Sequence, residues 1–588
     1  MASPTNNGSP SGPASSSDAQ PQVQKTDSKQ RLTSPRTTEE TLFSSQEPTP
    51  VAEEGPAAAG ATSSPNAVVL DYPFRWSSLW QKADVNPLNG KSFTFPLFRI
   101  WDVYSTAFWL ATLGFFVAFL AWFAFSPLVP EAVRDDLKLT PDQIINSNLA
   151  SLGGTAIVRL IAGPMCDRFG PRKVLATLLV IGAIPSGLAA LVTNIGGLEA
   201  VRFFISILGG TFVPTQAYTT VFFDKSIVGT ANAFSGGWGN LGGGVTVAVM
   251  IGLYERYVKA GYSSHLAWRL CFPTVAVPCL LLVAGMIMLL GKDHPAGHWS
   301  LRHKFQPGNF PTDPSDKAVP NVTTTIISHE NPEAAVAATT ANSRDSHAEH
   351  TLLTRKDVTI VDTAQSEPLT VATLVKILTD PRVWMCVVCY CLTFGLETAL
   401  DAGLPGLIFQ LFKSETFTHV EAAYAASTYG LLNIFGRPMG GVVADMLYAR
   451  YGFRAKVWWL LGTSLSQGIA MIGMGFYVEK ADATIGGVIG FIVLIAITGF
   501  AANGACFAVY GHLQPKNIGA VAGIVGAGGN VGGLFYTLIF KYQPGVRLPP
   551  SPAFPGGRNT LGRKFWISGI VNAGAVLPFI LCPLGDAV

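Results

Sequence analysis

Arg159 and Arg437 are permanent cations inside apolar stretches of the chain. Arg159 lies in AIVRLIAGPMCDRFGPRK, residues 156–173, eight residues before the charged group that begins at Asp167. At about 1.5 Å per residue, Arg159 lies about 12 Å below that charged end, close to the middle of a hydrocarbon core about 30 Å thick. Arg437 precedes Asp445 by the same eight residues and is therefore expected at the same depth.

A cation at that depth requires an explanation, because a central Arg costs about 2.5–3.5 kcal/mol on insertion scales. Snorkelling to the surface fits poorly so far from it, and neither Arg has an Asp or Glu within one helical turn. We therefore predict a functional site rather than a structural ion pair. Two facing guanidinium groups offer planar forks of donors with a permanent charge, which suit one small anion with several acceptor oxygens.

Three further polar side chains lie within apolar segments near these cations. Thr155 precedes Arg159 by one turn and either donates to an anion or bonds its own backbone at i−4. Asn240 and Asn530 are each flanked by glycines, in GGWGNLGGG and GAGGNVGG. Their amides either donate to an anion or bridge two helices, while the glycines indicate close helix packing.

Glu397 is a carboxylate inside an apolar segment, which makes it a candidate proton carrier. Its alternative role is a salt bridge within the helix bundle. The nearby Cys386, Cys389 and Cys391 either bind a metal or pack as small apolar residues. We favour packing, because no second Cys/His cluster follows, and we predict no metal and no cofactor.

The composition of the chain indicates an integral membrane protein. It has 588 residues, of which 49% are hydrophobic and 13% charged, with a mean hydropathy of +0.35. Soluble domains are usually about 25% charged. The net charge of +3 and the lack of a basic patch with aromatic residues argue against nucleic acid as a partner.

Apolar segments long enough to cross a bilayer predict an all-α integral membrane protein with twelve transmembrane helices. The predicted spans are 101–126, 144–165, 174–193, 197–222, 229–253, 268–290, 384–411, 420–446, 456–477, 485–511, 518–540 and 565–585. They form two six-helix bundles within 96–291 and 376–588. Residues 1–95 and 292–375 are rich in Ser, Pro and Thr and predict a disordered tail and a largely disordered linker.

Lys and Arg in the loops predict that the linker and both termini are cytoplasmic. Residues 168–173 and 450–456 carry basic residues on that side. The segment 541–564 is also basic, although this topology places it outside. We keep the topology, because the first helices usually dominate orientation.

The two halves are internal repeats. Arg159 is followed by Gly163 and Asp167 at offsets of four and eight, and Arg437 by Gly441 and Asp445 at the same offsets. Both segments then reach a Gly-x-Arg, and the two glycine-flanked Asn segments also correspond. Related halves indicate pseudo-twofold symmetry, so the two Arg are expected to face each other across a central cavity.

The segment GPMCDRFGPRK resembles the loop motif between helices two and three of the major facilitator superfamily. The two Gly-Asn segments and FGRPMGG are similar to the nitrate/nitrite porter family within it. The long central linker resembles the fungal members. The resemblance implies that Arg159, Arg437, Asn240, Asn530 and Thr155 bind substrate. It also implies that Tyr390 and Phe394 line the cavity, and that the loop residues form a gating latch: Asp167, Arg168, Arg172 and the corresponding Asp445.

The resulting prediction is a plasma-membrane secondary transporter that imports nitrate, and nitrite too, by proton symport with alternating access. The alternatives are a nitrate/nitrite exchanger and a nitrate-sensing receptor of transporter fold. No enzyme activity is expected, because the sequence shows no phosphate loop, metal set or nucleophile–base pair. Nitrate, nitrite, protons and membrane lipid are the expected partners, and the Ser/Thr-rich tail and linker offer sites to a kinase or other regulatory partner.

Overall fold

The computed structural model describes residues 76–85, 90–304, 367–414, 417–480, 482–543, 545, 547–548 and 558–581. Most of the predicted tail and linker, residues 1–75 and 305–366, lies outside the described residues. Long helices dominate the rest, which confirms the prediction of an all-α membrane protein.

We number the long helices α1–α12. The first half contains α1 (Val103–Trp122), α2 (Pro141–Phe169), α3 (Pro171–Leu188), α4 (Ile195–Phe222, with 3-10 turns over Ser206–Thr211), α5 (Val228–Lys259) and α6 (Ser264–Leu290, with a π turn over Phe272–Ala276). The second half contains α7 (Pro381–Phe412), α8 (His419–Leu431 and Asn433–Tyr451), α9 (Phe453–Val478), α10 (Ile485–Tyr510), α11 (Ile518–Tyr542) and α12 (Gly562–Leu581).

Nine helices among the described residues are long and apolar enough to cross a membrane. The others are α5, α8 and α9. α8 is interrupted at Leu432, and α5 and α9 carry more glycine or polar residues than their neighbours. All three occupy positions that the sequence predicts as spans.

The repeat is visible in how the helices end. Gly170 separates α2 from α3 with φ +93°, and Gly452 separates α8 from α9 with φ +77°. Positive φ favours glycine, which has no Cβ to clash with the backbone. The Gly-x-Arg of each half therefore marks the same tight turn.

The most extensive contacts between the halves are those of α2 with α11 and of α5 with α8. Glycines let their backbones touch. A methyl group on Gly163 would lie 2.6 Å from the carbonyl oxygen of Gly519, and one on Gly430 would lie 3.1 Å from the Cα of Gly244. We call these contacts the inter-half seam. This close packing is what small residues in membrane helices permit.

Segments at both edges of the predicted tail and linker are folded, contrary to the sequence-based boundaries. A 3-10 helix covers Trp76–Leu79, and Phe95 is 1% exposed. A second one, Trp299–Lys304, follows α6, and Trp299 is buried against Gly170 with its indole N–H donating to the carbonyl of Arg168 at 3.2 Å. A few aromatic side chains among many polar residues supply this packing. The average composition of these segments is polar, so it predicts disorder.

Short elements complete the described chain. A helix at Val371–Thr379 precedes α7. Two antiparallel strands, β1 (Arg547–Leu548) and β2 (Arg558–Asn559), form a short hairpin in the basic segment between α11 and α12.

Candidate functional site

Arg159 lies on α2, fully buried at the seam with the second half. Its Nε donates to the carbonyl of Gly209 at 2.9 Å, and its Nη1 donates to that of Gly526, on α11, at 2.8 Å. The guanidinium lies over the rings of Phe212 and Phe394, 4.8 and 4.9 Å from their centroids. Nη2 has no hydrogen-bond partner among the described residues. Arg159 is therefore held by backbone dipoles and aromatic faces rather than by a carboxylate.

Arg437 is also fully buried, on α8, but its surroundings differ. Its Nη2 lies 2.5 Å from Oε2 of Glu397, and its Nη1 donates to the carbonyl of Gly236, on α5, at 3.3 Å. Nε has no partner within the described part of the chain. The expectation that Arg437 lacks a carboxylate partner is wrong. The partner comes from α7, 40 residues away in sequence, which a search within one helical turn cannot find.

Glu397 is 1% exposed and receives hydrogen bonds from three helices besides the contact to Arg437. Its Oε1 accepts from the amides of Asn240, on α5, at 2.5 Å and Asn433, on α8, at 3.2 Å. Its Oε2 accepts from Asn503, on α10, at 3.0 Å. Hydrogen bonds of this kind stabilise the charged carboxylate. The salt-bridge alternative weighed for Glu397 is therefore what this conformation contains.

Phe394 lies between the two cations. Its ring centroid is 4.9 Å from the Cζ of Arg159 and 5.6 Å from that of Arg437. Tyr390, one turn earlier, stacks on Phe394 at 4.9 Å with an angle of 2° between the rings, and on Phe212 at 5.6 Å. The Tyr390 hydroxyl is buried without a partner among the described residues. These two predicted lining residues therefore lie beside both predicted Arg.

Three other predicted site residues make protein contacts in this conformation. The Asn240 amide donates to Glu397, and the Asn530 amide donates to the carbonyl of Gly526 at 3.1 Å. The side-chain oxygen of each Asn is buried with no partner in the described chain. The Thr155 hydroxyl is 3.1 Å from the carbonyls of Ser151 and Ser206, which is the backbone bonding weighed as its alternative.

Sequence reasoning missed Asn433, Asn503, Phe212 and Phe507. Asn433 lies one turn before Arg437, and an amide at that spacing from a buried cation was the available signal. The rings of Phe212 and Phe507 pack on Tyr390 and have no signal in sequence, because aromatic residues are common throughout these helices.

The predicted latch residues divide into two groups. Asp167, on α2, accepts from the backbone N–H groups of Gly519 and Ala520 at 2.9 and 3.0 Å, at the first turn of α11. Asp445, on α8, accepts from the N–H and hydroxyl of Thr230 at 2.6 and 2.8 Å, at the first turn of α5. Each carboxylate thus caps a helix of the other half, where the N-terminal dipole favours negative charge.

The contacts described for the two latch arginines lie within the first half. Arg172 bonds Asp293 at 2.6 Å and the carbonyl of Gly291 at 2.5 Å, both within the first half. The Arg168 side chain is exposed and lies over Phe169, with 5.2 Å between Cζ and the ring centroid. Of the four predicted latch residues, the two Asp are therefore the ones that bond across the seam in this conformation.

The halves also meet at the other end of α2. Lys541, near the end of α11, lies 3.0 Å from Oδ1 of Asn146 and 3.8 Å from Asp142, near the start of α2. Contacts at both ends of this helix pair enclose the buried Arg159, which is 0% exposed. In this conformation the site around Arg159 is therefore closed at both ends of the helix pair.

The family model described as Major Facilitator Superfamily matches residues 111–537. The chain belongs to the Major Facilitator Superfamily. This major facilitator protein is a multi-pass membrane protein of a transporter family rather than an enzyme, and the predicted superfamily membership is confirmed.

Several relatives carry nitrate in their names. "High affinity nitrate transporter 2.5" of Arabidopsis thaliana is 28% identical over 84% of this chain and 82% of its own length. "Nitrate transporter 2.2" of Chlamydomonas reinhardtii is 29% identical over 75% and 74%. These relatives are plant and algal, so the fungal assignment stays a prediction.

A solved structure of a major facilitator proton:xylose symporter has the same fold. It matches with a TM-score of 0.55 and 15% sequence identity, over 82% of this chain and 95% of that one. This likeness concerns the fold alone.

Proposed function

We propose that this major facilitator protein imports nitrate by proton-coupled symport with alternating access, and that nitrite is a second substrate. The observation that carries the proposal is a set of three buried donors without partners among the described residues: Arg159 Nη2, Arg437 Nε and the Tyr390 hydroxyl. A small oxyanion between the guanidinium groups would supply acceptors for them. Relatives named as nitrate transporters support nitrate as that anion.

The charge of the site supports a single monovalent anion. Glu397 neutralises Arg437, while Arg159 has no carboxylate partner in the described chain. One cation without a carboxylate contact therefore lies beside the free donors. Nitrate is planar, carries one delocalised negative charge and offers three acceptor oxygens, which suit the planar fork of a guanidinium group.

Asn240, Asn530 and Thr155 complete the proposed binding set. The amide of Asn530 and the guanidinium of Arg159 share the Gly526 carbonyl, so an anion at Arg159 lies within reach of a small rotation of Asn530. Asn240 supports Arg437 through its hydrogen bond to Glu397, and Thr155 lies one turn before Arg159 on the same helix. Asp167 and Asp445 hold the cytoplasmic side closed, and their release from α11 and α5 opens it.

Symport follows from the direction of transport. Moving one anion into an inside-negative cell costs about 2.3 kcal/mol per 100 mV, so uptake requires protons in excess of the charge of nitrate. The carboxylates within α7 are the candidates to carry them. We place the protein in the plasma membrane with both termini cytoplasmic, on the basis of the basic loops.

The test is current recording with the full chain expressed in oocytes. External nitrate is expected to evoke an inward, depolarising current that grows as external pH falls, accompanied by uptake of labelled nitrate. Exchange that moves no net charge and requires internal nitrite would instead identify an exchanger. A signalling response that survives in a transport-dead Arg437→Ala variant would identify a receptor.

A further inference from the structure

Asp401 is a second carboxylate within α7, one helical turn after Glu397. Residues four apart lie on the same face of a helix. Asp401 is half-buried, whereas Glu397 is fully buried. α7 runs from the cytoplasmic to the external side in the proposed orientation, so Asp401 lies on the external side of Glu397.

The two carboxylates have opposite surroundings. Four donors converge on Glu397: Arg437, Asn240, Asn433 and Asn503. In the described part of the chain, no hydrogen bond or ion pair reaches the side chain of Asp401. Glu397 is therefore bound as a structural anion, while Asp401 is free to exchange a proton.

Few charged groups act on Asp401. They are Glu397, on its own helix, and Arg437, on α8. Tyr429, also on α8, lies within electrostatic reach of both carboxylates, and its buried hydroxyl has no partner in the described chain. The nearby surface of α11 presents Gly533 and Phe540, which do not titrate.

These surroundings determine what a proton would disrupt at each carboxylate. A proton on Glu397 would leave the buried Arg437 without its counter-ion, which is costly in a low-dielectric interior. A proton on Asp401 breaks no bond and removes the repulsion between two neighbouring negative charges. Charge balance adds to this, because Arg159, Arg437, Glu397 and Asp401 together carry no net charge, so bound nitrate adds one negative charge that a proton on Asp401 offsets.

We propose that Asp401 takes up and releases a coupled proton, and that Glu397 is a positioning residue that holds Arg437. The inference rests on the proposed nitrate symport. An external proton binds a carboxylate oxygen of Asp401 when the site is open outward and leaves to the cytosol when it is open inward. Only this O–H bond forms and breaks. Nitrate and the proton each bind more tightly when the other is bound, since such coupling is reciprocal.

The test compares two assays of the full chain in proteoliposomes, with the voltage held at zero. The first measures exchange of labelled nitrate at equal pH on both sides, which requires only the anion site. The second measures accumulation of nitrate driven by a pH gradient. A gradient of one pH unit corresponds to about 1.36 kcal/mol, or about tenfold accumulation per coupled proton.

Asp401→Asn is expected to retain exchange and to lower accumulation about tenfold for a one-unit gradient. Asp401→Glu is expected to restore accumulation. Asp135→Asn, at an exposed position between α1 and α2, is the control and is expected to behave as wild type. Glu397→Gln is expected to lose exchange as well, because it releases Arg437.

Wild-type accumulation in Asp401→Asn would overturn the inference, as would a Glu397→Gln protein that exchanges nitrate but no longer accumulates it. If Asp401→Asn exchanges no nitrate, the Asp401→Glu variant provides the test. The pH dependence of nitrate accumulation by this variant must shift towards higher pH, and an unshifted pH dependence contradicts the proposal. A wild-type protein that exchanges no nitrate would contradict the proposed function instead.

Discussion

The two halves present the same sequence pattern around two different cations. Arg159 is held by the carbonyls of Gly209 and Gly526 and by aromatic faces. Arg437 is held by Glu397, which three amides also support. The repeat therefore preserves the helix position and the burial of the two Arg but not their electrostatic balance. One cation belongs to a buried ion pair, and the other remains available to an anion.

This asymmetry determines how much charge the site can accept. Two uncompensated cations would suit a divalent anion or two monovalent ones, whereas one suits a single monovalent anion. The asymmetry arises on α7, where CYCLTFGLE of the second half contributes the carboxylate. The corresponding helix of the first half, α1, has no acidic residue over Val103–Trp122.

Breaking the ion pair from either side is expected to have the largest effect. Glu397→Ala or Arg437→Ala leaves one buried charge unpaired, which typically costs about 3–5 kcal/mol. Thermal unfolding of the purified protein in detergent measures this loss. The double variant Glu397→Gln/Arg437→Gln is expected to regain most of the stability but no nitrate transport. Equal instability of the single and double variants would argue against the pair.

Changing the unpaired cation is expected to affect binding more than stability. Arg159→Lys keeps the charge but loses the planar fork, including the bonds to Gly209 and Gly526. Hydrogen bonds to charged groups contribute about 1.5–3 kcal/mol, so nitrate affinity should fall about 10- to 150-fold. Titration of nitrate in the exchange assay measures it. Unchanged affinity would mean that Arg159 does not contact the anion.

The two latch carboxylates, Asp167 and Asp445, are expected to differ in how much they stabilise the protein. Asp167→Asn weakens a helix cap, an interaction that contributes about 0.5–2 kcal/mol. Asp445→Asn is expected to cost more, because Asp445 also lies 2.8 Å from the buried amine of Lys456. Thermal unfolding should therefore rank Asp445→Asn below Asp167→Asn. The reverse order would show that the ion pair with Lys456 contributes little.

The smallest effect is expected where Trp side chains of α6 and α12 donate to acidic residues. Trp268, near the start of α6, donates to Asp136 at 3.1 Å, and Trp566, near the start of α12, donates to Glu479 at 2.9 Å. Burial opposes the charged form of Asp136, but hydrogen bonds from His265, Arg269 and Trp268 lower the pKa of Asp136 below its usual 3.8.

A pKa that is lower in the folded protein stabilises it above about pH 3.8, and this contribution disappears as pH falls through the folded-state pKa. Asp136→Asn is expected to cost about 1 kcal/mol at neutral pH, the upper end of the range for ion pairs at the protein surface. It should also flatten the loss of stability below pH 3.8. Glu479→Gln is the matched control and should leave that acid dependence in place. Thermal unfolding between pH 3 and 7 compares them.

The sequence was sufficient to predict the helices, the repeat and the burial of both Arg. Hydropathy and spacing are local properties, and the Arg–Asp offset of eight residues fixes depth directly. Glu397 and Arg437 lie on different helices, so their pairing depends on how α7 packs against α8, which local spacing does not contain. The folded residues 76–85, 90–95 and 292–304 were missed for a similar reason, since buried aromatics such as Phe95 and Trp299 are few among many polar residues.

The inter-half seam has a practical consequence for trapping single states of this protein. In the proposed orientation, Gly163 lies on the cytoplasmic side of Arg159 and Gly430 on the external side of Arg437, and at both places backbone meets backbone. One added methyl group acts there as a wedge. Gly163→Ala should hold the protein open to the cytosol, and Gly430→Ala should hold it open to the outside. Labelling of engineered cysteines from each side of the membrane would read out the bias.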